Sequence, residues 1–145
     1  MLNLLIYAAD NWSDSKATIA AIRESVIVMH KNKYKIEKSI DYKFDEINIY
    51  AENTHSSNNV VKIGRALCIK HYKKIFLGNN HEDRYKMMNI VLEKDIDFII
   101  SFSNDKEDPM TKFLRKRSIN KNIEYMEVPN GFRYYKSMDL FEGEN

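Results

Sequence analysis

The chain has 145 residues, 43% of them hydrophobic and 30% charged, with a net charge of +2. That length supports one core rather than two, and the balance excludes disorder as the main state. Near-neutrality gives no electrostatic case for nucleic-acid or membrane-surface binding. The single cysteine, Cys68, excludes an internal disulfide framework and a Cys-rich zinc site. No apolar run approaches the length of about 18 residues that a membrane helix needs. Residues 1–7 carry no basic leader, so no signal peptide is expected and the expected compartment is the cytoplasm. The abundance of Lys, Asn and Ile is the bias of an AT-rich genome, bacterial or phage.

In chain order, residues 3–8 are a short apolar run suited to a strand buried on both faces. After the polar stretch Asp10-Asn11-Trp12-Ser13-Asp14, apolar Ile19, Ile22, Val26 and Met29 recur at helical spacing. Residues 31–44 hold five lysines and a rough alternation of Tyr34, Ile36, Ile40, Tyr42 and Phe44, read as an insertion forming a strand or hairpin. Residues 46–50 predict a second strand and residues 51–58 a polar loop, with Val60, Ile63, Leu67 and His71 on one face of the next helix. Residues 74–77 predict a third strand. Asn80 and Asp83 have the spacing of a capping pair for a helix to about Glu93. Residues 97–102 form the clearest strand pattern. Asp108-Pro109 is a helix start, a capping carboxylate followed by a first-turn proline, with Met110, Phe113, Leu114 and Arg117 continuing the helix. Residues 124–128 predict a fifth strand, stopped by Pro129.

This alternation predicts an α/β fold: a single Rossmann-like domain with an open, mainly parallel five-stranded sheet and helices on both faces. The domain spans residues 1–129, and residues 130–145 form a tail rich in aromatics (Phe132, Tyr134, Tyr135, Phe141). Ligands of such sheets sit beyond the carboxyl ends of the strands, where strand order reverses. The loops to examine are 9–15, 51–58, 78–83 and 103–108.

The order of loops over residues 3–128 resembles the SLOG superfamily, the Rossmann-like group with the DprA and LOG proteins, and within it the YspA-like branch. Ala8-Ala9-Asp10-Asn11-Trp12-Ser13-Asp14 stands at the branch's Gly-Ser-Arg-Asp-Phe loop, and residues 51–59 stand at its glycine loop. Ala66 lies in the helix that follows; Arg84-Tyr85-Lys86-Met87-Met88 stands at its Arg-Asn-x-x-Met, and Thr111 falls near its Gly-Thr. The resemblance implies a nucleotide or nucleotide-derived ligand and a homodimer. The chain departs from the pattern where phosphate would lie. It has no glycine from Ala51 to Asn59, Asp10 replaces the loop arginine, Asp108-Pro109 replaces Gly-Thr, and the LOG-type catalytic motif is absent.

On this reading Thr54, Ser56, Ser57 and Asn58 hold the anionic part of the ligand with the helix N-terminus behind them, and Arg84 adds charge. Trp12 or Tyr7 faces a base or ribose, Asp10 sits at the rim and Ser103 lines the floor. Each residue also has a plainer role: Arg84 as a surface pair with Glu82 or Asp83, the hydroxyl cluster as a turn and cap, Asp10 and Asp14 as caps, Trp12 as a plug at the sheet edge. His55 and His81 lack the companions of a metal site, so no metal or cofactor is expected. Lys112, Arg115, Lys116 and Arg117 read as a solvated helix face. Three functions stay open: non-catalytic binding of a nucleotide-derived signal, sequestering it if the source is a phage; a protein-interaction module, with a host protein as one partner; or a nucleotide N-glycoside hydrolase using Glu52, Asp10 or Asp14.

Overall fold

The computed structural model of the chain describes residues 2–34, 47–67 and 81–133. Its elements are β1 (Leu2–Ala8), α1 (Ser15–Tyr34), β2 (Ile47–Ala51), α2 (His55–Ala66), α3 (His81–Leu92), β3 (Phe98–Phe102), α4 (Pro109–Lys121) and β4 (Glu124–Val128). The strands form one parallel sheet in the order β2-β1-β3-β4. The chain runs from β1 to β2 on one side and returns to β3 on the other, so its winding reverses between β1 and β3. The expected fold class is present as an α/β parallel sheet, with four described strands where five were expected. The expected strand at 74–77 lies outside the described residues, as do Cys68, Asn80 and most of the segment 31–44.

Two boundaries correct the expectation. Residues 31–34 are the last turn of α1 rather than part of an insertion, because the helical spacing through Val26, Met29 and His30 outruns the lysine-rich composition. Residues 51–58 are not one loop: Ala51 closes β2 and the helix starts at His55. Thr54 caps α2, its Oγ1 accepting from the Ser57 N–H at 3.1 Å. A hydroxyl at that position is worth about 1 kcal/mol to a helix. Asp108 caps α4 as expected, accepting from the Thr111 N–H at 2.9 Å ahead of Pro109.

Strand alternation sends side chains to two different layers. Toward α1 and α2 point Leu4, Ile6, Ala8, Ile47, Ile49, Ala51, Phe98, Ile100, Phe102 and Val128, all apolar and buried. Toward α3 and α4 the layer is banded. Leu5, Tyr50 and Ile99 pack in the middle on Met88, Val91, Met110 and Leu114. Below them Asn48 donates to Asn3 at 3.0 Å, and Asp97 accepts from the Asn3 N–H at 2.8 Å. Above them, at the carboxyl edge, the same face turns polar.

Candidate functional site

The pleat places Tyr7, Glu52, Ser101 and Glu127 on the α3/α4 face at the carboxyl edge. Tyr7 pairs in register with Ser101, and Ser101 with Glu127. Glu52 follows Ala51, the register partner of Ile6. One polar residue from each strand therefore forms a row, roughly 14 Å from end to end at the ~4.8 Å spacing of strands.

Each member of the row is met by a helix residue. Glu52, 2% exposed, takes both its oxygens to Arg84 of α3, at 2.6 Å from Nε and 2.8 Å from Nη2. The Arg84 guanidinium lies 5.7 Å from the Tyr7 ring centroid, a cation–π distance. The Tyr7 hydroxyl donates to Asp108 Oδ1 at 3.0 Å, and Asp108 Oδ2 is the cap of α4. Burial and the adjacent Asp108 carboxylate push the Tyr7 phenol well above its usual range, and pairing with Glu52 holds the Arg84 cation still more firmly protonated. Ser101 and Thr111 share a hydroxyl hydrogen bond of 2.8 Å. At the far end Arg115 grips Glu127 through two contacts of 2.6 Å and keeps its carboxyl below the usual range.

The amino end of α2 follows Glu52 by three residues, and the helix packs on the opposite face of the sheet. Ser56 donates to the carbonyl of Asp10 at 2.7 Å, tying α2 to the loop after β1. Ser57 is 0% exposed, and its Oγ, like the buried Oδ1 of Asn58, has no hydrogen-bond partner among the described residues. A buried polar atom without a partner costs about 1–3 kcal/mol, which a ligand or water contact would recover.

The sequence-predicted residues thus divide. Glu52, Arg84, Tyr7, Thr54, Ser56, Ser57 and the Asp10 carbonyl gather at the β1/β2 end of the edge. Arg84 turns inward on Glu52 rather than pairing on the surface. Trp12 is corrected: it is 4% exposed, its indole N–H donates to Thr18 Oγ1 at 2.9 Å, and its ring sits 5.2 Å from Phe102, so it belongs to the α1 core instead of facing a base. Ser103 lies past β3, bonded to Asp105 in a tight turn, and lines a different cleft from Arg84. Asp10 is exposed and only its carbonyl joins the site. Ser101, Thr111, Arg115 and Glu127 were missed or set aside. Their signal was the strand period of two, which puts Ser101 and Glu127 level with Tyr7 once the strands are aligned. His55 is exposed, with a 3.4 Å contact to Asn59. Among the described residues no group of three His, Cys, Asp or Glu is placed to hold a metal, and no helix is long and apolar enough to cross a membrane.

Asp14, in the loop after β1, is engaged as well. Asp14 accepts from the Ala17 N–H at 3.0 Å and from the Gly131 N–H at 2.8 Å, and these bonds hold its carboxyl below the usual 3.8. A carboxyl lowered in the folded state contributes stability that is complete above its ordinary value and is lost as pH falls through the lowered one. The Gly131 amide shift, followed by NMR, is therefore expected to titrate with an inflection below 3.8; an inflection at or above 3.8 would show that the Asp14–Gly131 bond does not form in solution. Comparison of the chain with protein-family models, with curated proteins and with solved structures finds no match.

Proposed function

We propose that the protein binds a nucleotide or nucleotide-derived molecule at the β1/β2 end of the carboxyl edge and leaves it intact. The observation that carries this reading is the convergence of Tyr7 of β1, Glu52 just after β2, Arg84 of α3 and the α4 cap Asp108 at the carboxyl edge, with α2 beginning three residues after Glu52. The edge is where open parallel sheets take ligands, and the position agrees with the SLOG-like order of loops. Because Glu52 offsets the charge of Arg84 and Asp108 adds a second carboxylate, the cluster suits the uncharged base and ribose of the ligand better than a polyphosphate. The ribose or base has Tyr7 and the Asp108 cap as polar neighbours.

Binding is favoured over hydrolysis because Glu52 and Asp14, like the neighbouring Asp108, have both oxygens bonded, while Asp10 is exposed and brings its carbonyl, not its carboxylate, to the site. Each oxygen keeps a second acceptor site, but a carboxylate held at both oxygens is fixed by its partners rather than free to turn toward a substrate proton. A protein that binds such a molecule without turnover acts by sequestering it, the role the reading assigns if the source is a phage. A homodimer remains the proposed assembly. The interaction-module reading rests on the glycine-free loop, the lysine-rich segment 31–44 and the aromatic tail, the last two lying mostly outside the described residues. Among the described residues the exposed large hydrophobics are Ile90 and Ile119, on separate helices, and scattered exposed isoleucines need no partner.

A thermal-shift series with AMP, ADP-ribose and a cyclic dinucleotide tests the proposal. At a hundredfold excess over Kd a ligand adds about 2.7 kcal/mol, which raises Tm by about 5 °C or more in a chain of this size. The Glu52→Gln variant keeps an acceptor for Arg84 but removes the opposing charge, so its ligand-induced shift is expected to be larger. No shift with any of the three, or an identical shift in Glu52→Gln, would refute the assignment to this site.

A further inference from the structure

The other end of the polar row opens on a cleft of about 620 Å³, walled by Ser103, Asn104, Lys106, Arg115, Glu127 and Phe132. We infer that this cleft is a separate binding site for a polyhydroxylated ring, a sugar, held by the donors of Asn104, Lys106 and Arg115 and by neighbouring carboxylates.

Hydrogen bonds fix both walls of the cleft. Residues 129–133 leave β4 and cross toward the loops after β3 and β1. The Asn130 N–H donates to Asn104 Oδ1 at 2.7 Å, and the Gly131 N–H donates to Asp14 at 2.8 Å. Gly131 takes φ +81, a left-handed conformation that a side chain would strain. The opposite wall is set by Arg115, which holds Glu127 and reaches the Lys106 carbonyl at 3.0 Å. These anchors shape a cleft of a volume usual for small-molecule sites, about 300–1,000 Å³.

The chemistry of the lining then selects the ligand. With Oδ1 of Asn104 taken by a backbone amide, the side-chain NH2 is the group left to donate. Arg115 uses Nε and Nη2 on Glu127 and the Lys106 carbonyl, which leaves Nη1. Lys106 adds an ammonium. Glu127 is paired with Arg115 and Glu107 with Lys112 at 3.1 Å, and their remaining acceptor sites face the cleft. The pairs offset one another and Lys106 alone adds net positive charge, a weak pull on a phosphate. Donors and acceptors in one cleft match vicinal hydroxyls, which both accept and donate, and Pro129 in the lining adds apolar surface for the carbons of a ring. The site stands about three strand spacings from Glu52 and depends on no residue of the nucleotide site proposed above.

Titrating D-ribose at millimolar concentration into the ¹⁵N-labelled full chain tests the inference, with inorganic phosphate as the contrasting probe. The result expected is shifts at Asn104, Lys106 and Gly131 with ribose and none there with phosphate. Asn104→Asp, which keeps the oxygen that holds the Asn130 N–H but removes the NH2 donor, and Lys106→Ala are each expected to weaken ribose binding about fivefold, the loss of one hydrogen bond. No response to ribose, a response confined to the Tyr7–Arg84 end, unchanged affinity in both variants, or a response to phosphate in place of ribose would each overturn it. None of these results bears on the nucleotide thermal-shift series, whose outcome is read separately.

Discussion

Replacing Arg84 with alanine is expected to destabilise the fold by about 3–5 kcal/mol, because it strands a buried carboxylate. Glu52 is 2% exposed and both its oxygens end on the Arg84 guanidinium, itself 20% exposed. The pair gains little beyond its own desolvation, but breaking it leaves Glu52 charged and dry. Two consequences separate this from an ordinary surface pair. The joint replacement of Arg84 and Glu52 by methionine is expected to recover most of the loss, since a well-packed apolar pair has no charge to strand. The single change should exceed by several-fold the ~0.2–1 kcal/mol of exposed pairs. Urea denaturation of the three proteins checks both, and a single-variant loss under about 1 kcal/mol would place Glu52 in contact with water.

Phe102→Ala carries an effect of similar size from a different cause. Phe102 is fully buried at the carboxyl end of β3, on the α1 face, against Trp12. Removing the ring takes away apolar burial and leaves a cavity beneath the loop after β1, for a cost of about 3–5 kcal/mol. Trp12 is the chain's single tryptophan, so its fluorescence reports the site directly. Emission from the variant should shift to the red as water reaches the indole. A stability loss under about 1 kcal/mol with unchanged emission would contradict the packing of this layer.

The two faces of the sheet explain what sequence could show. The run Leu4-Leu5-Ile6 reads as a strand buried on both sides, which β1 is, and Asp108-Pro109 marks the start of α4 because cap and proline act locally. The band of polar residues at the carboxyl edge was hidden in those same runs. Ser101 sits inside Phe98-Ile99-Ile100-Ser101-Phe102 and passes for a tolerated small residue until its register partners, Tyr7 and Glu127, are known. Register is a long-range property, and no local pattern encodes it.

The site was legible in part for the same reason. The hydroxyls after β2 and Arg84 were visible as residue types, and they do gather at one end of the edge. Their partners were not. Arg84 stands 32 positions from Glu52, and Tyr7 101 positions from Asp108, so sequence proximity offered Glu82 and Asp83 instead. Trp12 was misassigned because a loop tryptophan beside a ligand edge and one folded under it have the same local sequence. Thr18, one turn into α1, takes its indole proton.

The polar cluster of Tyr7, Glu52, Arg84 and Asp108 at the carboxyl edge is proposed to bind a nucleotide-derived molecule. The most direct measurement is an amide-shift map of the ¹⁵N-labelled chain titrated with ADP-ribose. Saturable shifts centred on Tyr7, Glu52, Ser57, Arg84 and Asp108 are the predicted result. An unchanged spectrum at millimolar ligand, or shifts that leave those five residues untouched, would contradict it.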